Sequence, residues 1–475
     1  MARTWLSQML TSVADAGRSW IKLPEAAAAP LDRARDLYRS LLSERGEASG
    51  TALARELAEL YWTFDDETAL GFFTQLSVDL APNQDKLVGL AQAYATEPST
   101  EALIALSEAC EAPRQELLRR LNMAPDGTTL LVKLRERLIG LLPKHPELMP
   151  LEHDLRHLLS SWFNRGFLQI ERISWRTPAL ILEKLIAYEA VHEIEGWGDL
   201  RRRLADDRRC FAFFHPALRD EPLIFVEVAL VKGLSAAVQP LLAEPAPANG
   251  NRTPDAKADT AIFYSISNCQ PGLRGISFGN FLIKQVVAEL SAELPHLTCF
   301  STLSPIPGFA SWLRRKLAQG VPGLLSGEER KAITAVAGRT GAKGALGSLL
   351  AQPNWATDDS IANALRPALT RLAALYLTRG TNGKKPTDPV AKFHLGNGAR
   401  LERINWLGDR STKGIQQSYG LMVNYRYELG EIEANHERFT RGEPVACSRE
   451  IEALLMPPRE PRRLPTFRQL VGARG

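Results

Sequence analysis

Three short stretches of this 475-residue sequence combine reactive side chains with residues that fix the backbone. The first is Asn268-Cys269-Gln270-Pro271-Gly272-Leu273-Arg274-Gly275-Ile276-Ser277-Phe278-Gly279, which joins a strand pattern to an amphipathic helix pattern. Its glycines permit close backbone approach, the following helix offers free N–H groups at the positive end of its dipole, and Arg274 adds a charge. Together they suit a pyrophosphate. The spacing is neither a Walker A loop nor a dinucleotide fingerprint, and a tight structural turn would carry the same glycines. The second stretch, Phe300-Ser301-Thr302-Leu303-Ser304-Pro305-Ile306-Pro307-Gly308-Phe309, has two prolines just beyond a strand end. They hold Ser301 and Ser304 where α/β sheets usually bind ligands, or where hydroxyls simply cap a rigid strand exit. The third places His394 between apolar neighbours and a Gly396-Asn397-Gly398 turn. That setting suits a structural histidine, and equally one that moves a proton near neutral pH. Tyr419 to Tyr427 reads as an aromatic core strand, and His215 is a weaker histidine candidate.

The elements that must position these groups divide the chain in two. Up to residue 165, apolar residues recur at spacings of three and four: Ala52, Leu53, Leu57, Leu60 and Tyr61, then Leu117, Leu118 and Leu121, then Leu130, Leu131, Leu134, Leu138 and Leu141. A turn at Pro125-Asp126-Gly127 separates the last two runs, so an all-α bundle with a packing or assembly role is predicted for residues 1–165. Beyond Trp162 to Gly166, short aromatic and β-branched runs predict strands at 210–214, 223–230, 261–266 and 297–300. Helical periodicity returns over 281–290 and again from Ser326 to Leu377. The loop Glu244–Thr260 and the basic turn Arg379–Lys385 read as surface connections. Residues 166–475 are thus predicted to be a mixed α/β domain with a helical insertion, making the chain α+β overall.

Composition narrows the function classes. With 58 Lys+Arg against 54 Asp+Glu and 45% hydrophobic residues, the chain is an ordinary globular one. Residues 1–165 carry a balance of −5 and the remainder +9, which directs an anionic ligand to the rear domain. No stretch approaches the roughly 18 uncharged apolar residues of a membrane span. The basic residues are dispersed without an aromatic-interleaved stripe, which argues against nucleic acid. The five cysteines are widely spaced without a CxxC pair, as expected of a cytoplasmic protein without a disulfide framework or zinc site. His153 and His157 share a helix face but lack a third ligand, and read as surface residues. Asp15 interrupts the apolar run between Arg3 and Arg18, so no signal peptide is expected, and the C-terminal Ala473-Arg474-Gly475 is no peroxisomal address.

Taken together, the motifs resemble the malonyl-CoA decarboxylase family. The resemblance runs in order from Arg208-Arg209-Cys210 and Glu221-Pro222-Leu223, through Tyr264-Ser265-Ile266-Ser267, Gly272-Leu273, Gly275, Gly279, Phe281-Leu282-Ile283-Lys284 and Pro295-His296-Leu297. It continues with Phe300-Ser301 to Phe309, Phe393-His394-Leu395, Asn397-Gly398-Ala399, Arg403-Ile404-Asn405-Trp406 and Gly420-Leu421-Met422 to Tyr427. Ser-Pro-Ile-Pro-Gly-Phe combined with Phe-His-Leu-x-Asn-Gly-Ala is a specific pairing.

The resemblance implies a helical assembly domain followed by a GNAT-like catalytic domain, a homotetramer built through the helices, and malonyl-CoA as substrate, converted to acetyl-CoA and CO₂. It places Pro271, Gly272, Leu273, Arg274, Gly275, Ile276 and Ser277 around the substrate's pyrophosphate and makes Ser301 and His394 the catalytic pair. Pro271 has no N–H to give a phosphate. No metal or other cofactor is expected, because the thioester itself accepts the electron pair. A GNAT-type N-acyltransferase and a non-catalytic malonyl-CoA sensor are the alternatives, and incubation with malonyl-CoA alone separates all three.

Overall fold

The computed structural model describes residue 12 and residues 29–43, 47–243, 258–276, 281–338, 344–379 and 387–456. Ser277 and most of the N-terminal run Arg3–Arg18 and of the 244–260 and 379–385 connections lie outside the described residues. The chain divides into two compact units: Met1–Gly196 with Phe211–Phe225 and Ser267–Leu282, and Trp197–Cys210 with Val226–Ile266 and Ile283–Gly475.

The first unit opens with successive helices from Pro30–Leu42 to Met149–Trp162. Their starts follow from side chains that take up free N–H groups. Asp65 accepts from Thr68 N at 2.8 Å, Asn83 from Lys86 N at 3.0 Å and Ser99 from Ala102 N at 3.1 Å. The predicted leucine stripes at 117–121 and 130–138 are buried in one core with Tyr38, Phe72, Phe73, Leu151 and Leu155. Truncating one such leucine to alanine costs about 2–5 kcal/mol. The predicted turn depends on its glycine, because a Cβ on Gly127 would stand 2.0 Å from the Leu121 carbonyl oxygen. Helices Gln84–Thr96 and Thr100–Cys110 differ from the rest: neither buries a single residue.

The strands are β1 Gln169–Ile173, β2 Arg208–Phe214, β3 Ile224–Val231, β4 Thr260–Asn268, β5 Cys299–Thr302, β6 Ser304–Pro305, β7 Arg400–Asn405 and β8 Met422–Tyr427. They form one sheet in the order β1-β2-β3-β4-β5-β8-β6, with β7 paired to β8. β4 and β5 are parallel, with Phe263 opposite Thr302, and the crossover between them contains helix Phe281–Glu293. β8 runs antiparallel to β5, with Ser301 opposite Arg426, and antiparallel to β6, with Ser304 opposite Val423. The insertion comprises helices Phe309–Ala318, Gly327–Ala337, Ala345–Leu350 and Asp359–Arg379. This is the α+β architecture expected from the sequence.

Candidate active site

The second unit carries the site at the exit of β5. Neighbouring residues on a strand point to opposite faces, so Ser301 and Thr302 cannot serve the same pocket. Ser301 is fully buried, and its hydroxyl donates to the Tyr425 carbonyl of β8 at 3.1 Å. The chain then steps through Leu303 into β6, and Pro305 fixes the backbone after Ser304. Ser304 Oγ donates to Thr302 Oγ1 at 2.9 Å and lies 3.2 Å from His394 Nε2. Thr302 Oγ1 also accepts from Tyr425 N–H at 3.1 Å.

His394 comes from helix Pro389–Gly396, which Asp388 starts by accepting from Val390 N at 3.0 Å and Ala391 N at 3.2 Å. The other oxygen of this buried carboxylate accepts from Gly308 N–H at 3.2 Å and from the Tyr376 hydroxyl at 3.3 Å. Asp388 therefore ties the loop carrying Ser304 to the helix carrying His394. Gly308 must be glycine, since a Cβ there would stand 2.1 Å from Tyr376 Oη.

The imidazole is enclosed. Its Nδ1 lies 2.8 Å from Tyr427 Oη, and its ring stacks on Tyr425 with centroids 4.8 Å apart. Burial pushes the His394 pKa down to about 3 and the Tyr427 hydroxyl well above its ordinary value, so both are neutral near pH 7. One assignment of protons satisfies every bond: Tyr427 O–H to Nδ1, Nε2–H to Ser304 Oγ, and Ser304 O–H to Thr302 Oγ1. The chain of donors runs from Tyr427 through the imidazole and Ser304 to Thr302 Oγ1. No charged side chain bonds His394 or Ser304 among the described residues.

By resemblance, Ser301 is the expected partner of His394. The structure brings Ser304 to the imidazole and directs Ser301 to backbone. Tyr427, read as a core strand residue, is buried in β8 as expected, and its hydroxyl also meets the imidazole. What distinguishes these residues is strand face: β5 and β6 keep one register against β8, so Ser304 falls on the same face as Thr302 and on the face opposite to Ser301.

The glycine-rich loop belongs to the first unit. Pro271–Leu273 forms one 3₁₀ turn, Gly272 and Leu273 are buried, and Arg274 and Gly275 are exposed, with φ +80° at Gly275. Ile276 is buried and closes the turn by donating to the Leu273 carbonyl at 3.0 Å.

Fold and site define an α+β protein with a buried, uncharged serine–imidazole–phenol cluster beside a sheet, suited to acid–base work. Residues 166–464 match the malonyl-CoA decarboxylase C-terminal domain and residues 80–163 the N-terminal domain of the same family. The malonyl-CoA decarboxylase of the goose Anser anser anser, named as mitochondrial, is 39% identical over 70% of this chain and 68% of that protein. That of Rattus norvegicus is 38% identical over 71% of this chain and 70% of its own length. The crystal structure of malonyl-CoA decarboxylase from Rhodopseudomonas palustris superposes with a TM-score of 0.81 at 49% identity, covering 90% of this chain and all of that one. The Agrobacterium vitis enzyme gives 0.79 at 50% identity over 89% of this chain. The chain belongs to the malonyl-CoA decarboxylase family.

Proposed function

We propose that His394 and Ser304, oriented by Tyr427, carry the proton chemistry of malonyl-CoA decarboxylation in this enzyme. The chain is a carboxy-lyase that converts malonyl-CoA to acetyl-CoA and CO₂. The bond between Cα and the carboxylate carbon breaks, CO₂ leaves, and the electron pair passes to Cα and into the thioester oxygen. One proton then adds to Cα. The observation that carries the assignment is the 3.2 Å contact of Ser304 Oγ with a neutral, buried imidazole.

Neutrality matters. A cation beside the malonyl carboxylate would stabilise the charge that the reaction removes, and so favour the ground state over the transition state. An uncharged N–H and O–H pair avoids that penalty and still donates to the enolate as charge builds there. The thioester supplies the electron sink, so the proposal calls for no cofactor.

The loop Pro271–Ser277 is proposed to receive the substrate's phosphates, with the exposed Arg274 guanidinium and Gly275 N–H as donors; Gly272, Leu273 and Ile276 shape the turn. A homotetramer through the helical segment is proposed as well, supported by helices 84–96 and 100–110, which bury nothing and expose Val88, Leu103 and Ile104. Light scattering on gel-filtered protein tests it. No described helix is long and apolar enough to cross a membrane. A cytoplasmic location is proposed from the five free cysteines.

The activity is tested by incubating the protein with malonyl-CoA and no acceptor. Stoichiometric acetyl-CoA and CO₂ support the reading. Turnover only when an amine is added would indicate an N-acyltransferase, and tight binding without turnover a sensor.

A further inference from the structure

Arg135 of the helical segment holds the glycine-rich loop from behind. Arg135, on helix Gly127–Leu141, is 1% exposed and 137 positions away in sequence from the loop residue it holds. Its Nη1 donates to the Gly272 carbonyl at 2.5 Å, and its Nη2 donates to the Arg274 carbonyl at 2.9 Å and to Glu152 at 2.7 Å. Glu152 is also buried, so the charge is balanced where it lies, and the guanidinium fork is committed to the loop rather than to solvent. The helix backbone takes part too. A Cβ on Gly272 would stand 1.9 Å from the Val132 carbonyl oxygen, so only glycine lets the loop lie this close to the helix.

This grip determines where the loop's free donor points. In a trans peptide the C=O and the next N–H face opposite ways. The Arg274 carbonyl is turned inward to Arg135, so the Gly275 N–H is turned outward. That N–H has no acceptor among the described residues, and Gly275 is exposed. The positive φ at Gly275 keeps the turn open without a side chain over the amide. The Arg274 side chain is presented on the same exposed stretch.

We infer that Arg135 is a positioning residue for substrate binding: it orients the 274–275 peptide so that the Gly275 N–H and the Arg274 guanidinium meet the phosphates of the CoA portion. The segment preceding residue 166 then contributes to substrate recognition as well as to packing. This rests on the proposal that the loop binds those phosphates.

The test compares malonyl-CoA with malonyl-pantetheine, which lacks the pyrophosphate and nucleotide. The ratio of kcat/KM for the two substrates reads the phosphate contribution alone and does not move with general loss of folded protein. R135K keeps the charge beside Glu152 but loses the two-pronged fork. R135M/E152M removes both buried charges together and avoids leaving one unpaired. The expected result is a fall of about ten-fold or more in the ratio for R135M/E152M and a smaller fall for R135K, arising mainly in KM for malonyl-CoA, the scale of one lost charge-assisted contact. An unchanged ratio in R135K and in any folded R135M/E152M overturns the inference, and R135K alone decides if the double variant does not fold. R274A separates the two levels. If R274A lowers the ratio and the Arg135 variants do not, the loop binds phosphate without help from Arg135. If the native enzyme shows no preference for malonyl-CoA, the phosphate reading of the loop itself fails.

Discussion

His394 Nε2 stands 3.2 Å from Ser304 Oγ, inside a site where burial holds the imidazole neutral. The hydroxyl nearest the histidine in space is thus the one beside Pro305, three positions after the serine indicated by resemblance. The pair is fixed by Asp388, whose carboxylate accepts from the Ser304 loop at Gly308 and caps the histidine's own helix.

Replacing His394 with asparagine removes the proposed proton-transfer group while keeping a polar side chain. Turnover of malonyl-CoA by H394N is expected to fall by about 10²–10⁴, the usual contribution of a positioned acid or base, with substrate affinity little altered. Steady-state kinetics together with equilibrium binding of acetyl-CoA check both halves.

With Nε2 of His394 protonated, the Tyr427 hydroxyl donates to Nδ1 across 2.8 Å. Y427F leaves Nδ1 buried without its donor, a loss of about 1–2 kcal/mol. The expected result is a drop in kcat of about ten-fold with KM for malonyl-CoA unchanged. A pure KM effect would place Tyr427 in binding rather than in orientation.

The depressed His394 pKa makes stability pH-dependent with a definite sign. Near pH 7 the histidine is neutral both folded and unfolded. As pH falls below the unfolded value near 6.5, the unfolded chain takes up a proton that the folded chain refuses until about pH 3. Stability is therefore retained above pH 6.5 and lost progressively below it, by up to about 1.4 kcal/mol per pH unit from this group. H394N should remove that part of the slope. Urea unfolding midpoints at pH 7.5, 5.5 and 4.5 for the two proteins, with equal m-values, give the comparison.

Gly308 sits where any side chain meets Tyr376 Oη. G308A must displace either Tyr376 or the loop, so it is expected to lower the thermal midpoint by several degrees, as ~1–3 kcal/mol of overpacking would. It should also lower kcat, because the same displacement separates Ser304 from His394. Retained activity with a lowered midpoint would show that the loop tolerates the shift.

The helices bearing Leu53, Leu57, Leu117, Leu121, Leu130 and Leu138 were legible because their leucine spacing acts within a few positions, whereas the caps at Asp65, Asn83 and Ser99 emerge with the structure. The strands at 208–214, 224–231 and 260–268 were legible from their β-branched and aromatic runs. Histidine 394 and the strand-exit serines were also visible as chemistry-bearing residues. Which serine meets the imidazole was not, because that depends on the helix carrying His394 packing against the face of the sheet that bears Thr302 and Ser304, while the Tyr425 carbonyl accepts the Ser301 hydroxyl. Nor was Arg135, whose partners Gly272 and Arg274 are brought to it only by the folded chain. Tyr425 and Tyr427 read as core residues because they are core residues, and their second role follows from the imidazole packed among them.

The most direct test of the account is a side-by-side measurement of kcat for S304A and S301A, with malonyl-CoA as sole substrate and folding verified by thermal midpoint. S304A is expected to lose about 10²-fold or more in kcat, while S301A, which loses bonds to the Tyr425 and Thr302 backbone carbonyls, loses far less. Near-native turnover by S304A beside an inactive but folded S301A would contradict it, and would return the catalytic hydroxyl to Ser301.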